Sequence, residues 1–296
     1  MSGRLEGQVA VVTGAGRGLG AAYALALAKE GASVVVNDLG GDLQGVGESS
    51  APANDVVREI KRAGGQAVAN YGDVSDFDDA GKIIETAVST FGKLDVIITN
   101  AGMDRRGALY ELTADDWDAT LKVHVYGSFN CSWHAANRMR EQRSGAIINV
   151  TSAAFYMGVP RLGAYTASKG AIYGMMRTLC QELQPFGVSV NCIVPGLTRT
   201  RAVNAWLGSL RETPETPEGM VEAMEASLQE PEAVAPLAVF LASEEGRKIT
   251  GQAFEIEGAR VSVLAPPSPN HSAFSPTGTW TPDDLANAIP RLIAQA

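Results

Sequence analysis

A tyrosine and a lysine four positions apart open a long helical segment, in the run Tyr165-Thr166-Ala167-Ser168-Lys169. Residues i and i+4 lie on one face of a helix, so both side chains can enter one cleft. Ser152, at the end of the strand-like run just upstream, can join them. Beside a hydride carrier, such a trio suits the interconversion of an alcohol and a carbonyl, because hydride transfer needs a partner that moves the alcohol proton. A free tyrosine titrates near pH ~10, and lowering that by about 3 units takes roughly 4 kcal/mol of preference for the phenolate. A lysine ammonium close by in a partly desolvated cleft can supply an effect of that size. An isolated Tyr-x-x-x-Lys is more often a packed ring beside a lysine that reaches water. What argues for chemistry here is the company the pair keeps.

That company includes a glycine-rich turn near the start of the chain. Thr13-Gly14-Ala15-Gly16-Arg17-Gly18-Leu19-Gly20 joins a β-branched run to an Ala/Leu-rich helix. A dinucleotide pyrophosphate needs glycines at that place, for a tight turn and close backbone approach, and the helix N-terminus offers free N–H groups. The spacing of Gly14, Gly18 and Gly20 is T-G-x-x-x-G-x-G rather than G-x-G-x-x-G. Asp38 closes the second strand-like run, where a carboxylate can accept from both adenosine ribose hydroxyls and repel a 2′-phosphate, which favours NAD over NADP. Arg17 argues the other way, as a cation able to meet that phosphate, but Asp38 should sit directly at the ribose. Asp73-Val74 and Asn100-Ala101-Gly102 follow two further strands, at the edge where open α/β sheets bind ligands.

Positioning these residues requires strands alternating with helices. Strands are expected at Gln8–Thr13, Ser33–Asn37, Gln66–Tyr71, Leu94–Thr99, Ala146–Thr151 and Val188–Ile193. Helices are expected at Leu19–Glu30 and at about 51–63, 76–91, 114–141 and 163–183. Apolar strands without polar alternation imply a parallel sheet covered on both faces, so the fold class is α/β, doubly wound. Gly40–Ala51 reads as a surface loop, and residues 196–232 as a mobile helical excursion. After residue 260 the composition turns Pro-rich, with Pro266, Pro267, Pro269, Pro276, Pro282 and Pro290. The chain therefore divides into a catalytic domain over 1–260 and an extension over 261–296. Thr281-Pro282-Asp283-Asp284 should cap a short terminal helix. Its Leu285, Ile289, Leu292 and Ile293, with Trp280 nearby, suggest a buried stripe.

Composition narrows the remaining classes. The 296 residues are 45% hydrophobic and 19% charged, enough for a core and too apolar for wholesale disorder. Lys plus Arg total 24 against 33 acidic residues, a net charge of −9, so the footprint of a nucleic-acid binder is missing. No apolar run is long enough to span a membrane, and the N-terminus enters a strand without a signal-peptide pattern. Cys131, Cys180 and Cys192 make no disulfide framework and suit a cytoplasmic protein. His124, His134 and His271 have no metal-ligand spacing, so no metal is expected.

Taken together, Thr13–Gly20, Asn100-Ala101-Gly102, Ser152, Tyr165/Lys169 and Pro195-Gly196 resemble the short-chain dehydrogenase/reductase family over about residues 5–258. The resemblance implies one Rossmann-like domain with a parallel sheet of about seven strands. It implies that Ser152 orients the substrate oxygen, that Tyr165 is the acid/base, and that Lys169 binds the nicotinamide ribose and lowers the tyrosine pKa. Thr200 would hold the carboxamide. The family usually carries a catalytic Asn where Leu121-Lys122-Val123-His124-Val125-Tyr126-Gly127 places His124. That replacement, with Val36–Asp42 and Ala67–Tyr71, is similar to the hydroxyacyl-CoA dehydrogenase part of the multifunctional β-oxidation enzyme and its bacterial relatives. His124 can hold the relay water or simply pack.

The expected reaction is NAD-dependent oxidation of a secondary alcohol, or its reverse. The first substrate reading is a 3-hydroxyacyl-CoA thioester, and the alternative is a free hydrophobic alcohol such as a steroid or terpenoid. A non-catalytic nucleotide sensor would not need Ser152, Tyr165 and Lys169. Met157, Tyr156 and Trp206 could wall the cleft. Ala135 and Ala136 on one long helix, and Ala171, Gly174, Met175 and Met176 on the other, suggest subunit contacts. The resemblance implies that these helices pair across a two-fold axis in a homotetramer, or in a homodimer.

Overall fold

Val9–Thr13 (β1), Val96–Thr99 (β4) and Gly145–Val150 (β5) bury every residue, as strands covered on both faces must. The computed structural model describes residues 3–294 apart from 215 and 276, so Pro276 of the tail lies outside the described residues. In chain order, α1 (Gly18–Lys29), β2 (Ser33–Asn37), α2 (Ala51–Arg62), β3 (Gln66–Asn70) and α3 (Phe77–Phe91) lie between β1 and β4. After β4 come α4 (Ala114–Leu121) and α5 (Gly127–Gln142), then β5, α6 (Ala154–Met157), α7 (Gly163–Leu183) and β6 (Val188–Pro195). The excursion holds α8 (Arg201–Arg211) and α9 (Met220–Ala226), followed by α10 (Pro231–Ala242), β7 (Ala253–Glu257) and β8 (Arg260–Val263).

The sheet order is β3-β2-β1-β4-β5-β6-β7-β8. The expected set of about seven parallel strands is thus extended by an eighth, which runs antiparallel to β7. Gly258 makes the reversal at φ 55°, and a hairpin of this kind needs no crossover helix. Helices α1, α2 and α10 pack together on one face, and α3, α5 and α7 on the other. The strand order reverses between β1 and β4, and ligands bind in the crevice opened at such a switch point.

One expected helix is broken. The stretch 114–141 splits into α4, a π-helical turn at Lys122–Tyr126 and α5. Such turns put an extra residue into the helix and re-aim the side chains near it. His124 sits in the middle of this one.

The chain forms two units, Met1–Val263 and Leu264–Ala296. The second holds α11 (Pro282–Ile293), started by a Thr281–Asp284 capping box as the sequence suggests. Its apolar stripe is not buried: Leu285 is 38%, Ile289 47% and Ile293 69% exposed. Among the described residues of that unit there is no second helix or strand to cover it. No helix among the described residues is long and apolar enough to cross a membrane.

Candidate active site

Gly14, Arg17, Asp38, Asp73, Val74, Asn100, Ala101, Gly102 and Thr200 lie in loops that follow strands, Gly18, Leu19 and Gly20 in the first turn of α1, and Tyr165 and Lys169 on α7. Gly14 has φ 61°, and a Cβ there would lie 2.7 Å from the Ala101 Cα. A Cβ on Gly20 would lie 2.1 Å from the Gly14 carbonyl oxygen, so only glycine fits. Asn100 clamps the turn, its Nδ2 donating to the carbonyls of Thr13 at 3.0 Å and Gly14 at 3.2 Å. Arg17 is the exposed N-cap of α1 and makes no side-chain cap bond, and Leu19 is half-buried in the first turn. The leading amides of α1 therefore have no side-chain oxygen as partner, as an anion cradle requires.

Asp38 closes β2 and ties the loop together. Its Oδ2 accepts from Gly16 N–H and its Oδ1 from Gly40 N–H, each at 2.7 Å. Asp73 accepts from Ser75 N–H at 2.8 Å, and Val74 is buried. Gly18 faces Thr200 across the cleft, a Cβ there lying 3.4 Å from Thr200 Cγ2. Thr200 also caps α8, its hydroxyl accepting from Val203 N–H at 3.2 Å.

Ser152, Tyr165, Lys169 and His124 converge at the same edge. Burial raises the Tyr165 phenol, and the nearby Ser152 hydroxyl offsets part of that rise. The expected lowering by Lys169 is not what this geometry gives. Lys169 Nζ donates to the Val150 carbonyl at 2.9 Å and lies over the tyrosine ring, 5.4 Å from its centroid. Burial in turn pulls Lys169 down to about 8, which weakens its hold on a proton.

His124 is buried, and its Nε2 lies 2.8 Å from the Met103 carbonyl oxygen and 3.2 Å from the Met103 amide nitrogen. Its Nδ1 has no partner. Burial and the Lys169 charge push the imidazole down to about 3, so it is neutral near pH 7. Gly102 permits this packing, because a Cβ there would lie 2.6 Å from His124 Cε1.

Several residues that hold the site are absent from the sequence reading. Asn130 Nδ2 donates to the carbonyls of Val74 at 3.0 Å and Ser75 at 3.2 Å, fixing the loop after β3. Asn149 Nδ2 donates to Thr99 Oγ1 at 2.7 Å between two central strands. The signal available for Asn149 was an amide inside the apolar run AIINVT. Asp104 and Arg106 form an ion pair in the loop after β4, and both charges reach Tyr165.

The cleft walls differ from expectation. Met157 is exposed, and Tyr156 turns its hydroxyl to Glu255 Oε1 at 3.1 Å. Trp206 is half-buried on α8. Burial pushes the Cys131 thiol up to about 12 and Cys192 higher still, which keeps both un-ionised near pH 7. Among the described residues no cluster of His, Cys, Asp or Glu could hold a metal ion.

A doubly wound sheet, with a glycine cradle at its switch point and a Ser–Tyr–Lys cluster on the same edge, defines a nucleotide-dependent oxidoreductase of the Rossmann-like class. The short chain dehydrogenase family model matches residues 8–208, and the chain belongs to that family, whose members act on CH–OH groups. It is 41% identical over 262 residues to the peroxisomal multifunctional enzyme type 2 of Mus musculus, covering 88% of this chain and 33% of that protein. The chain thus spans about a third of that relative's length. A short chain dehydrogenase from Mycobacterium avium superposes with a TM-score of 0.83 at 36% identity, over 99% of this chain and 97% of that one. A 7α-hydroxysteroid dehydrogenase, solved with NADH and 7-oxo glycochenodeoxycholic acid, superposes with a TM-score of 0.74 at 29% identity, over 86% of this chain and 95% of that one.

Proposed function

We propose that the protein is an NAD-dependent dehydrogenase of 3-hydroxyacyl-CoA-type thioesters. The observation that carries the redox reading is the Tyr165 side chain, half-buried near Ser152 with Lys169 behind its ring, on the sheet edge that also holds the glycine cradle. Gly14, Arg17, Gly18, Leu19 and Gly20 would take the pyrophosphate, with Asp73 and Val74 at the adenine side. Asn100, Ala101, Gly102, Lys169 and Thr200 would flank the nicotinamide half. When bound, the nicotinamide supplies or accepts the hydride. Ser152 orients the substrate oxygen, and Tyr165 gives or takes the proton at that oxygen. Lys169, its Nζ held over the tyrosine ring by the Val150 carbonyl, would bind the nicotinamide ribose.

Asp38 supports NAD over NADP, because its carboxylate stands against Gly16 where a 2′-phosphate would meet a like charge. The thioester reading is supported by the likeness to the multifunctional enzyme and by His124 in place of the usual Asn. A free steroid-like alcohol is the second reading, supported by the likeness to the hydroxysteroid dehydrogenase. Absorbance of NADH at fixed enzyme, with 3-hydroxyacyl thioesters beside steroid alcohols, tests both. Thioester turnover at least tenfold more efficient than steroid turnover is expected, and the reverse ranking would overturn the first reading.

Residues 1–260 would form the catalytic domain and 261–296 an extension. An oligomer, tetrameric or dimeric, is supported by a groove of about 490 Å³ between α5 and α7, lined by Phe129, Trp133, Met175, Leu179 and Phe186. Of the residues singled out for this contact, Ala135 and Met176 instead face the core, while Ala171 and Gly174 are open. Three unpaired, buried cysteines fit a reducing compartment such as the cytoplasm, although the multifunctional relative is peroxisomal by name.

A further inference from the structure

We infer that Asp104 and Arg106 form the reader of a second, uncharged oxygen on the substrate, next to the reacting carbon. The pair sits in the loop that follows Asn100-Ala101-Gly102. Both side chains are largely buried, 13% and 19% exposed. Arg106 Nη2 donates to Asp104 Oδ2, and the same nitrogen donates to the Ala202 carbonyl in the first turn of α8 at 2.8 Å. That leaves two buried atoms with no partner, Arg106 Nε and Asp104 Oδ1. A buried guanidinium N–H without an acceptor is unfavourable, and a group bound beside it gains by supplying one.

The loop is held in place from several sides. Asp104 N–H donates to the Leu43 carbonyl at 2.8 Å, and Gly107 N–H donates to the Arg161 carbonyl at 3.1 Å. Gly107 also bridges to Leu162, just before the helix that carries Tyr165. Met103, next to Asp104, holds His124. The free Arg106 donor is therefore fixed relative to the tyrosine by backbone hydrogen bonds. The Asp104 charge raises the Tyr165 phenol and the Arg106 charge lowers it, so the pair is felt at that phenol.

The charge balance selects the ligand. Arg106 is already neutralised by Asp104, so a substrate carboxylate would meet Asp104 as well as the guanidinium. A neutral carbonyl can accept from Nε without breaking the pair. In a 3-hydroxyacyl thioester the thioester carbonyl carbon lies two bonds from the reacting carbon, and it is uncharged. A free 3-hydroxy acid carries a carboxylate at the same place. The pair accordingly favours thioesters over free acids, and this rests on the thioester reading given above.

The test compares kcat/KM for a 3-hydroxyacyl-CoA, the free 3-hydroxy acid of the same chain length and a 2-alkanol that lacks the second oxygen. Arg106→Gln is expected to lower the thioester-to-alkanol ratio at least tenfold. Arg106→Lys keeps the ion pair, loses the second planar donor and is expected to lower the ratio similarly, which guards against misfolding of the first variant. Asp104→Asn is expected to raise the free-acid-to-thioester ratio at least tenfold. Unchanged ratios in all three variants, each folded by circular dichroism, would overturn the inference while leaving the thioester reading intact. A parent enzyme that oxidises the alkanol but not the thioester would overturn both, and the parent rates alone distinguish that case.

Discussion

The His124 imidazole meets the Tyr165 ring edge-on, with centroids 5.4 Å apart and planes at 88°. Its Nε2 is engaged by the Met103 backbone, and Nδ1 is the ring nitrogen left without a partner. Nδ1, donor or acceptor according to the tautomer, can hold a relay water beside the tyrosine. His124→Ala is expected to lower kcat by about 10²-fold, the low end of acid–base contributions, and to raise KM much less. Steady-state kinetics on the thioester checks this. A lower Tm with normal kinetics in the folded fraction would assign His124 to packing alone.

The same burial makes His124 a source of acid lability. Its folded pKa of about 3 lies below the ordinary 6.5, so between those values the unfolded chain binds the proton and the native state does not. Stability is then complete above about 6.5 and falls as pH drops, by up to about 1.4 kcal/mol per pH unit. Urea unfolding from pH 7 to pH 4 should show a shallower loss in His124→Asn than in the parent. Parallel curves for the two proteins would remove His124 as the cause.

Asp38 should set the cofactor preference. The parent is expected to favour NAD over NADP in kcat/KM, and Asp38→Ala to narrow that preference at least tenfold, mostly through the KM for NAD. The variant also loses the acceptor for Gly16 and Gly40 N–H, so a lower Tm is expected with it. Equal use of both cofactors by the parent would shift the weight from Asp38 to Arg17.

The exposed stripe on α11, Leu285, Ile289 and Ile293, suits a partner surface. We propose that it crosses to a neighbouring subunit and walls that subunit's cleft. Removing residues 264–296 leaves β8 whole and is expected to weaken the oligomer or change chain-length selectivity, with NADH binding unchanged. Light scattering and kinetics check this. An unchanged mass and unchanged kinetics on every substrate would make the extension a local cover.

Strands and most helices were legible because β-branched runs such as SVVVN and VIIT alternate with longer helical stretches, the pattern of a parallel sheet covered by helices. The helix expected over 163–183 was readable to its ends, since the residues it buries recur at helical spacing from Ala164 to Leu183, the polar Ser168 and Lys169 among them. The π-helical turn at 122–126 was not legible, because the contacts made by His124 at its centre, to Met103 and Gly102, come from residues about 20 positions away in sequence. The glycine turn with Tyr165 and Lys169 could be read from spacing within single elements. Asp104 and Arg106 could not, since two charges in a loop look solvated until the Ala202 carbonyl takes the Arg106 guanidinium and the Leu43 carbonyl takes the Asp104 amide. The apolar stripe of the tail was legible as a face, but periodicity does not say what covers it, and within this chain Leu285, Ile289 and Ile293 are exposed.

The central claim is that the Tyr165 hydroxyl moves the proton at the substrate oxygen, and Tyr165→Phe tests it most directly. The ring that fills the cleft is kept, and only the proton-bearing oxygen is lost. NADH binding, followed by fluorescence, is expected to match the parent, while turnover of the best thioester or alcohol substrate falls by at least about 10²-fold. Turnover by the variant within about tenfold of the parent, with NADH binding intact, would contradict the assignment.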